Sequence, residues 1–399
     1  MTSDNPAETN SLAAIAPPPR IDVFLPSKER FGPANAGAIS GVVLDQIRNS
    51  ATPDCFRVVG TAVEKPFDDI AFHGLRPRHS WLHGGNIGLA AAYLHALRGT
   101  PTADLVPDLV EVHSRCHVAA YLKSKRPDLR VALYLHNDPR QMKGSHTVPE
   151  RRKLLASMSA VICVSDYIRR CFLDGLSVDA KMAAKVNVAR NGAQRWLTEK
   201  PKKSPIILIA GRMVPEKGIL ECAHALANIL PRYPEWKLVI AGAKRFESAQ
   251  MGDYEKQIAA AVESLGGQVQ MTGFIAIEDV RKWQAKAAIA ACPSVWNDPM
   301  PKAVLESLAA GCALLTTRRG GIPEAAEGRA HIVDTPDVQS FTAAFETLLG
   351  NAEYRHKLQD AAWQDFPFTA TAMADAADAL RAEYINASRK PASYLQTPD

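Results

Sequence analysis

Ile206-Ile207-Leu208-Ile209-Ala210-Gly211-Arg212-Met213-Val214-Pro215-Glu216-Lys217-Gly218 reads as a strand, a short basic loop and the start of a helix. Five apolar residues bounded by a Gly suit a strand covered on both faces, as in a parallel sheet. Beyond Gly218, the residues Ile219, Leu220, Ala223, Ala227 and Leu230 recur at helical spacing. A loop at the carboxyl end of a parallel strand is where such sheets bind ligands, and the helix N-terminus after it favours anions. Arg212 and Lys217 can grip a pyrophosphate there, the first as a fork and the second as a point charge. A solvated basic loop with a glycine at the helix start is the plainer alternative.

The same alternation runs outward in both directions. Upstream, strands are expected at Ile21–Leu25, Leu109–Val112, Val131–Leu135 and Ala160–Val164, with a helix through Val118–Leu122. Downstream, they are expected at Lys237–Ala241, Gln268–Met271, Ala288–Cys292, Ala313–Thr316 and His331–Val333. Between the two series, Lys200-Pro201-Lys202-Lys203-Ser204-Pro205 is polar, holds two prolines and reads as a linker. The reading is therefore α/β, with two Rossmann-like domains facing each other across a cleft. They are expected at 20–199 and 200–360. A C-terminal helix in 361–399 is expected to pack back on the first domain, followed by a tail.

Composition agrees. A chain of 399 residues suits two to three domains of about 150. With 47% hydrophobic and 22% charged residues it is not a disordered chain. Seven Cys without a C-x-x-C pair argue against a disulfide framework or a zinc knuckle, and for a reducing compartment. No apolar run approaches the ~18 residues of a membrane span. Met1–Pro19 has Asp4 and Glu8 but no Lys or Arg, unlike a signal peptide, and reads as a disordered leader. The net charge of +5 is uneven: residues 1–200 carry +7 and residues 201–399 carry −2. A basic first half suggests an anionic partner, or simply a solvated basic face.

A second loop stands out: Pro293-Ser294-Val295-Trp296-Asn297-Asp298-Pro299-Met300-Pro301-Lys302-Ala303-Val304-Leu305-Glu306. It follows the 288–292 strand and opens a helix expected to run from Ala303 to Ala310, ended by Gly311. Pro301 fits its first turn. Asp298 before the helix and Glu306 on it can bracket a ligand, accepting hydrogen bonds from sugar or ribose hydroxyls. A helix-capping Asp and a surface Glu are the alternative.

In this order and spacing, the two loops resemble the retaining glycosyltransferases of family 4, which have the GT-B fold. Their Gly-Arg-x-x-x-x-Lys-Gly loop matches at Arg212 and Lys217. Their Pro-Ser stretch followed by Glu-x7-Glu matches at Pro293, Ser294, Glu306 and Ala310-Gly311, with Asp298 at the first Glu position. Val164-Ser165-Asp166-Tyr167, Asn191-Gly192, Ile240-Ala241-Gly242, Thr272-Gly273-Phe274 and Gly320-Gly321-Ile322-Pro323-Glu324 are similar to further family segments. The resemblance covers residues 130–335 well and the first 110 weakly.

The resemblance implies that Arg212 and Lys217 bind the diphosphate of a nucleotide-sugar and oppose charge on the departing nucleotide. It implies that Glu306 accepts from ribose and Asp298 from the donor sugar. Gly211, Met300, Pro301 and Lys302 would border the donor. His136, in Leu135-His136-Asn137-Asp138-Pro139, matches a family His beside the donor sugar; taken alone, a strand-end His is more often structural. Gly37, in Phe31-Gly32-Pro33-Ala34-Asn35-Ala36-Gly37-Ala38, stands where the family has a Gly-Gly pair on the acceptor side. Two departures are Asp298, one methylene shorter than Glu, and Pro301, which removes a backbone donor where Gly is usual.

The implied activity is metal-independent hexosyl transfer with retention. The donor would be a nucleotide-diphosphate sugar, a substrate and not a cofactor. The acceptor would be a glycan or lipid-linked glycan of cell-surface polysaccharide or lipopolysaccharide. The protein would be cytoplasmic and peripheral on an anionic membrane face. Alternatives are a nucleotide-sugar epimerase and a non-catalytic nucleotide-sugar-binding protein of the same fold. A dehydrogenase would need Gly-x-Gly-x-x-Gly, which is missing, and no aromatic-interleaved basic stripe suggests nucleic acid. His73, His79 and His83 lack a carboxylate to complete a metal site. His113-x-x-Cys116-His117 reads as packing at a strand–helix junction. Arg151-Arg152-Lys153 with Arg169-Arg170 reads equally as a membrane-facing patch or as solvated surface.

Overall fold

The computed structural model describes residues 18–34, 36–98, 106–243 and 251–386. Its strands form two parallel sheets. The first holds β1 (Ile21–Phe24), β2 (Phe56–Thr61), β3 (Phe72–Leu75), β4 (Leu109–His113), β5 (Val131–Leu135), β6 (Ala160–Cys163) and β7 (Val186–Val188), in the order β3-β2-β1-β4-β5-β6-β7. The second holds β8 (Ser204–Ala210), β9 (Lys237–Ala241), β10 (Val269–Gly273), β11 (Ala287–Cys292), β12 (Ala313–Thr317) and β13 (Ala330–Val333), in the order β10-β9-β8-β11-β12-β13. Each order reverses beside its first strand, at β1/β4 and at β8/β11, and such a switch point opens a crevice at the carboxyl ends.

The apolar runs became strands because helices bury them on both faces: every residue of β4, β5, β6 and β12 is buried. The sequence reading missed three strands. β2 is interrupted by Arg57 and Gly60, β3 carries His73 and Gly74, and β7 is three residues centred on Asn187. All three lie toward a sheet edge, where strands need not be uniformly apolar. The expected linker is shorter than read, because Ser204 and Pro205 already belong to β8, with Pro205 near the strand start where its missing N–H is tolerated. Most of the expected leader, residues 1–17, lies outside the described residues.

The chain crosses between the sheets twice, side by side. Ala193 donates to the Phe368 carbonyl at 2.9 Å, and Ala370 donates to the Ala193 carbonyl at 3.0 Å. The second crossing leads into the helix Ala370–Asn386, which packs beside the helix Ala38–Arg48 on the first sheet. The last helix thus belongs to the first domain's core, where Ala377 and Ile385 are buried. No helix among the described residues is long and apolar enough to cross a membrane.

Candidate active site

The β8 loop is held by its own backbone and by the β11 loop. Gly218 has φ +63°, and a side chain there would run into the Pro293 carbonyl, so only glycine fits this junction. The Glu216 carbonyl accepts from the Val295 and Trp296 amides at 3.1 and 3.3 Å and from Ser294 Oγ at 3.1 Å. These bonds strap the two loops together at the start of the helix Ile219–Ile229, whose N-terminus is a favourable place for an anion. Gly211 and Arg212 are exposed on this loop.

Lys217 Nζ and Asp298 Oδ2 form an ion pair; Asp298 keeps 8% of its side chain exposed and Lys217 27%. Two residues 81 apart in sequence therefore meet at one point. Asp298 does not cap the following helix: the N-cap is Pro301, and the helix runs Lys302–Ala309, so Pro301 precedes the first turn instead of forming part of it. The Asp298 loop is clasped from the far side, where the Gly321 amide donates to the Asp298 carbonyl at 2.8 Å. Side chains at Gly320 or Gly321 would overlap the backbone of residues 297–299, which explains the glycine pair.

Glu306 lies half-buried on the 302–309 helix. Burial raises its carboxyl pKa, the Lys302 charge opposes that rise, and Asp45 adds to it. Lys302 itself is paired with Asp45 of the 38–48 helix in the other domain, so its ammonium bridges the cleft. The Met300 side chain is a second correction: it is buried in the core, and its carbonyl accepts from Asn191 Nδ2 at 3.1 Å. Met300 therefore ties the loop to the crossing segment.

On the first domain, Gly37 is the N-cap of the 38–48 helix, and the carboxylate of Glu29 lies directly against it. Glu29 Oε2 accepts from Ser40 N at 3.2 Å and Ser40 Oγ at 3.1 Å. The chain's own anion thus holds this helix N-terminus. His136 is buried at the carboxyl end of β5, its amide donating to Ser114 Oγ at 3.0 Å. Its ring contacts His113, 2.8 Å away between Nε2 and Nδ1. Burial, then the neighbouring His113, pushes the His136 pKa well below the usual imidazole range, so the ring is neutral at pH 7.

Several residues of this region escaped the sequence reading. His113 is not mere packing: it joins His136 to Glu111, which Arg381 of the last helix pairs twice, at 2.9 and 2.8 Å. Burial alone would raise the Glu111 carboxyl, but Arg381 and the His113 N–H outweigh it and hold the group ionised. The period-two pattern Glu111-x-His113 on an apolar strand was the available signal. Cys116 is buried with its thiol pushed up to about 11, mainly by burial, and so is inert. Glu324 was noticed only as part of a turn; its carboxylate accepts from the Asp166 and Tyr167 amides at 2.9 and 2.7 Å, in the other domain. Of the basic cluster, Arg152, Lys153 and Arg170 are exposed, while Arg151 and Arg169 are used internally. Arg151 is buried, and its guanidinium donates to the carbonyls of Phe172, Ser145, His146 and Asp174. Arg169 donates to the Val186 carbonyl. Among the described residues no group of three or more His, Cys, Asp or Glu side chains is placed to hold a metal ion.

Two facing parallel sheets, a basic strand–loop–helix and a carboxylate loop meeting it define the GT-B class of fold. Residues 191–365 match the family described as glycosyl transferases group 1. YtcC of Bacillus subtilis is 26% identical over 269 residues, covering 63% of this chain and 66% of that protein. The lipopolysaccharide 1,2-N-acetylglucosaminetransferase of Salmonella typhimurium is 23% identical over 234 residues, covering 54% and 56%. Each is thus matched over about two thirds of its length or less. Among solved structures, Anabaena Alr3699/HepE in complex with UDP superposes with a TM-score of 0.70 at 17% identity, over 91% of this chain and 100% of that one.

Proposed function

We propose that the protein is a metal-independent, retaining hexosyltransferase that moves a sugar from a nucleoside-diphosphate sugar to a glycan or lipid-linked acceptor. The observation that carries this reading is the meeting of Lys217 and Asp298 at the head of the 219–229 helix. One group suits a diphosphate and the other suits the hydroxyls of the sugar attached to it. Structures of the same fold hold UDP and UDP-glucose, which makes UDP the first nucleotide to try.

The chemistry follows from where charge develops. As the bond between the anomeric carbon and the β-phosphate oxygen breaks, its electron pair stays on the phosphate and the sugar becomes oxocarbenium-like. Lys217, Arg212 and the helix N-terminus oppose the growing negative charge. On the retaining course, the acceptor hydroxyl attacks from the face the phosphate is leaving. Its proton passes to that phosphate, and the new glycosidic bond keeps the configuration. Asp298 accepts from the sugar and Glu306 from the ribose.

A lipid-linked acceptor places the protein at the cytoplasmic membrane face. The support is a surface feature at the carboxyl end of edge strand β3. Trp81 is 80% exposed and Leu82 57%, in a stretch with Arg76 and Arg78 and no acidic residue between Asp69 and Asp104. Apolar side chains among cations suit an anionic interface.

The test is binding and turnover. UDP in excess should raise the melting midpoint with EDTA present. Lys217→Ala should cut transfer by ~10²-fold or more, as expected for losing a preorganised charge contact. A folded Lys217→Ala protein with unchanged turnover would defeat the reading.

A further inference from the structure

A chain of four buried side chains links the C-terminal helix to the cleft. Arg381 donates from Nε to Glu111 Oε2 at 2.9 Å and from Nη2 to Glu111 Oε1 at 2.8 Å. Its Nη2 also donates to Gln46 Oε1 at 3.0 Å, and its Nη1 to Asp378 Oδ1 at 2.9 Å. Glu111 Oε1 lies 2.9 Å from His113 Nε2, and His113 Nδ1 lies 2.8 Å from His136 Nε2. Glu111 and His113 are fully buried and Arg381 nearly so. The rings of His113, Tyr134 and His136 stack with centroids 4.8 to 5.0 Å apart, so none can rotate freely.

Hydrogen-bond polarity propagates along such a chain. Paired with Arg381, Glu111 is ionised and can only accept, so His113 must carry a proton on Nε2. One proton lies between the two imidazoles. If His113 held it, that ring would be a second buried cation; Arg381 already neutralises Glu111, and the part-exposed Asp378 does not touch His113. The proton therefore belongs to His136 Nε2, and His136 Nδ1 is left as a bare acceptor without a protein partner.

We propose that Arg381, Glu111 and His113 are positioning residues that fix the tautomer of His136, so that Nδ1 is an acceptor for a sugar hydroxyl at the end of β5. The hydroxyl part of this inference rests on the glycosyl-transfer reading; the tautomer does not. A donor tautomer at this position would offer a proton to the sugar hydroxyl instead of accepting one from it. The arrangement also makes the last helix part of the site, although Arg381 follows the final strand by 48 residues.

The experiment reads the ring nitrogens directly. Long-range proton–nitrogen correlation spectra of the full chain, with His136 assigned against His136→Gln, report which nitrogen carries the proton. The wild type should show His136 protonated on Nε2 and bare on Nδ1. Glu111→Gln keeps the shape but turns an N–H toward His113, so the chain should reverse and leave His136 protonated on Nδ1. Arg381→Lys keeps Glu111 ionised and should preserve the wild-type tautomer. With a donor in hand, Glu111→Gln should slow transfer about tenfold to a hundredfold while UDP affinity stays unchanged. Wild-type His136 protonated on Nδ1 overturns the proposal without any variant. So does a Glu111→Gln protein that loses turnover while the His136 tautomer stays put. If no nucleotide-sugar reacts but the tautomers behave as stated, the relay stands and the glycosyl-transfer reading fails.

Discussion

At the scale of the residue, the Lys217–Asp298 pair makes two roles compete for one position. An ammonium neutralised by a carboxylate attracts a diphosphate less than a free one does. Asp298→Asn should therefore bind UDP at least as tightly as the wild type, while transfer falls roughly tenfold to a few hundredfold through the lost charged acceptor. Titration calorimetry with UDP and initial rates with the nucleotide-sugar check the two separately; parallel losses would tie Asp298 to the nucleotide. Glu306 gives a pH signature. Its carboxyl pKa is raised by burial, so ionising it in the folded protein costs stability. That cost is absent well below the ordinary carboxylate value of 4.5 and grows as pH rises through the raised value. Glu306→Gln should therefore melt higher than the wild type at pH 7.5, with the gap closing toward pH 4, as followed by calorimetry. Its UDP affinity should fall at the same time, because an amide is the weaker acceptor for ribose.

At the scale of the element, one helix is finished by another domain. The helix Asp166–Leu173 has its Ser165 cap at Ile168, but the Asp166 and Tyr167 amides are satisfied by Glu324. Glu324→Ala should cost about 1 kcal/mol, in line with losing a cap, and should speed hydrogen exchange at those amides selectively. The helix Ser80–Arg98 offers a different test, since its first turn carries Trp81 and Leu82. The double change Trp81→Ser and Leu82→Ser should weaken binding to vesicles containing anionic lipid by about tenfold or more, the expected loss for two partly inserted side chains. Sedimentation at low and high salt reads this. Wild-type binding should weaken at high salt, where cations are screened. Equal sedimentation of wild type and variant would reject the membrane role of this turn.

At the scale of the whole molecule, the two domains are held by a few contacts around the cleft: Lys302 with Asp45, Asn191 with the Met300 carbonyl, and Glu324 with Asp166, Tyr167 and Arg190. The Lys302–Asp45 pair is part-buried, and removing it takes away one bridge across the cleft. Asp45→Asn should widen the average separation of the domains, seen as a larger radius of gyration in solution scattering. UDP should shrink that difference by bridging the domains. An identical radius in both proteins would mean the crossing segments alone set the geometry. Chelation belongs to this scale as well: on the proposed reading, in which Arg212, Lys217 and the helix N-terminus take the place of a divalent ion, EDTA should leave turnover intact.

Local sequence was enough for whatever depends on short-range order. The apolar runs of β1, β4, β5, β6 and β8 could only be buried strands, and Gly218 and Pro301 marked where helices begin. That alternation determined two parallel sheets, and with them a cleft at their carboxyl ends. β2, β3 and β7 were illegible because edge and near-edge strands need no unbroken apolar pattern. The site divides in the same way. Arg212, Lys217 and Asp298 drew notice because each sits in a loop at a strand end, and Glu306 because it is a carboxylate on the helix that follows one. Which of them touch was not legible, since Lys217 and Asp298 are separated by 81 residues and meet only because β8 and β11 are neighbours. That Lys302 meets Asp45 was not legible either, because the partner comes from the other domain. In the sequence of the last helix, nothing in the neighbourhood of Arg381 ties it to the site. Only the second crossing, which returns that helix to the first sheet, places its guanidinium against Glu111, 270 residues away. Secondary structure is dictated by neighbours in the chain, but a buried charge survives only where folding brings its partner, and that partner has no fixed distance in sequence.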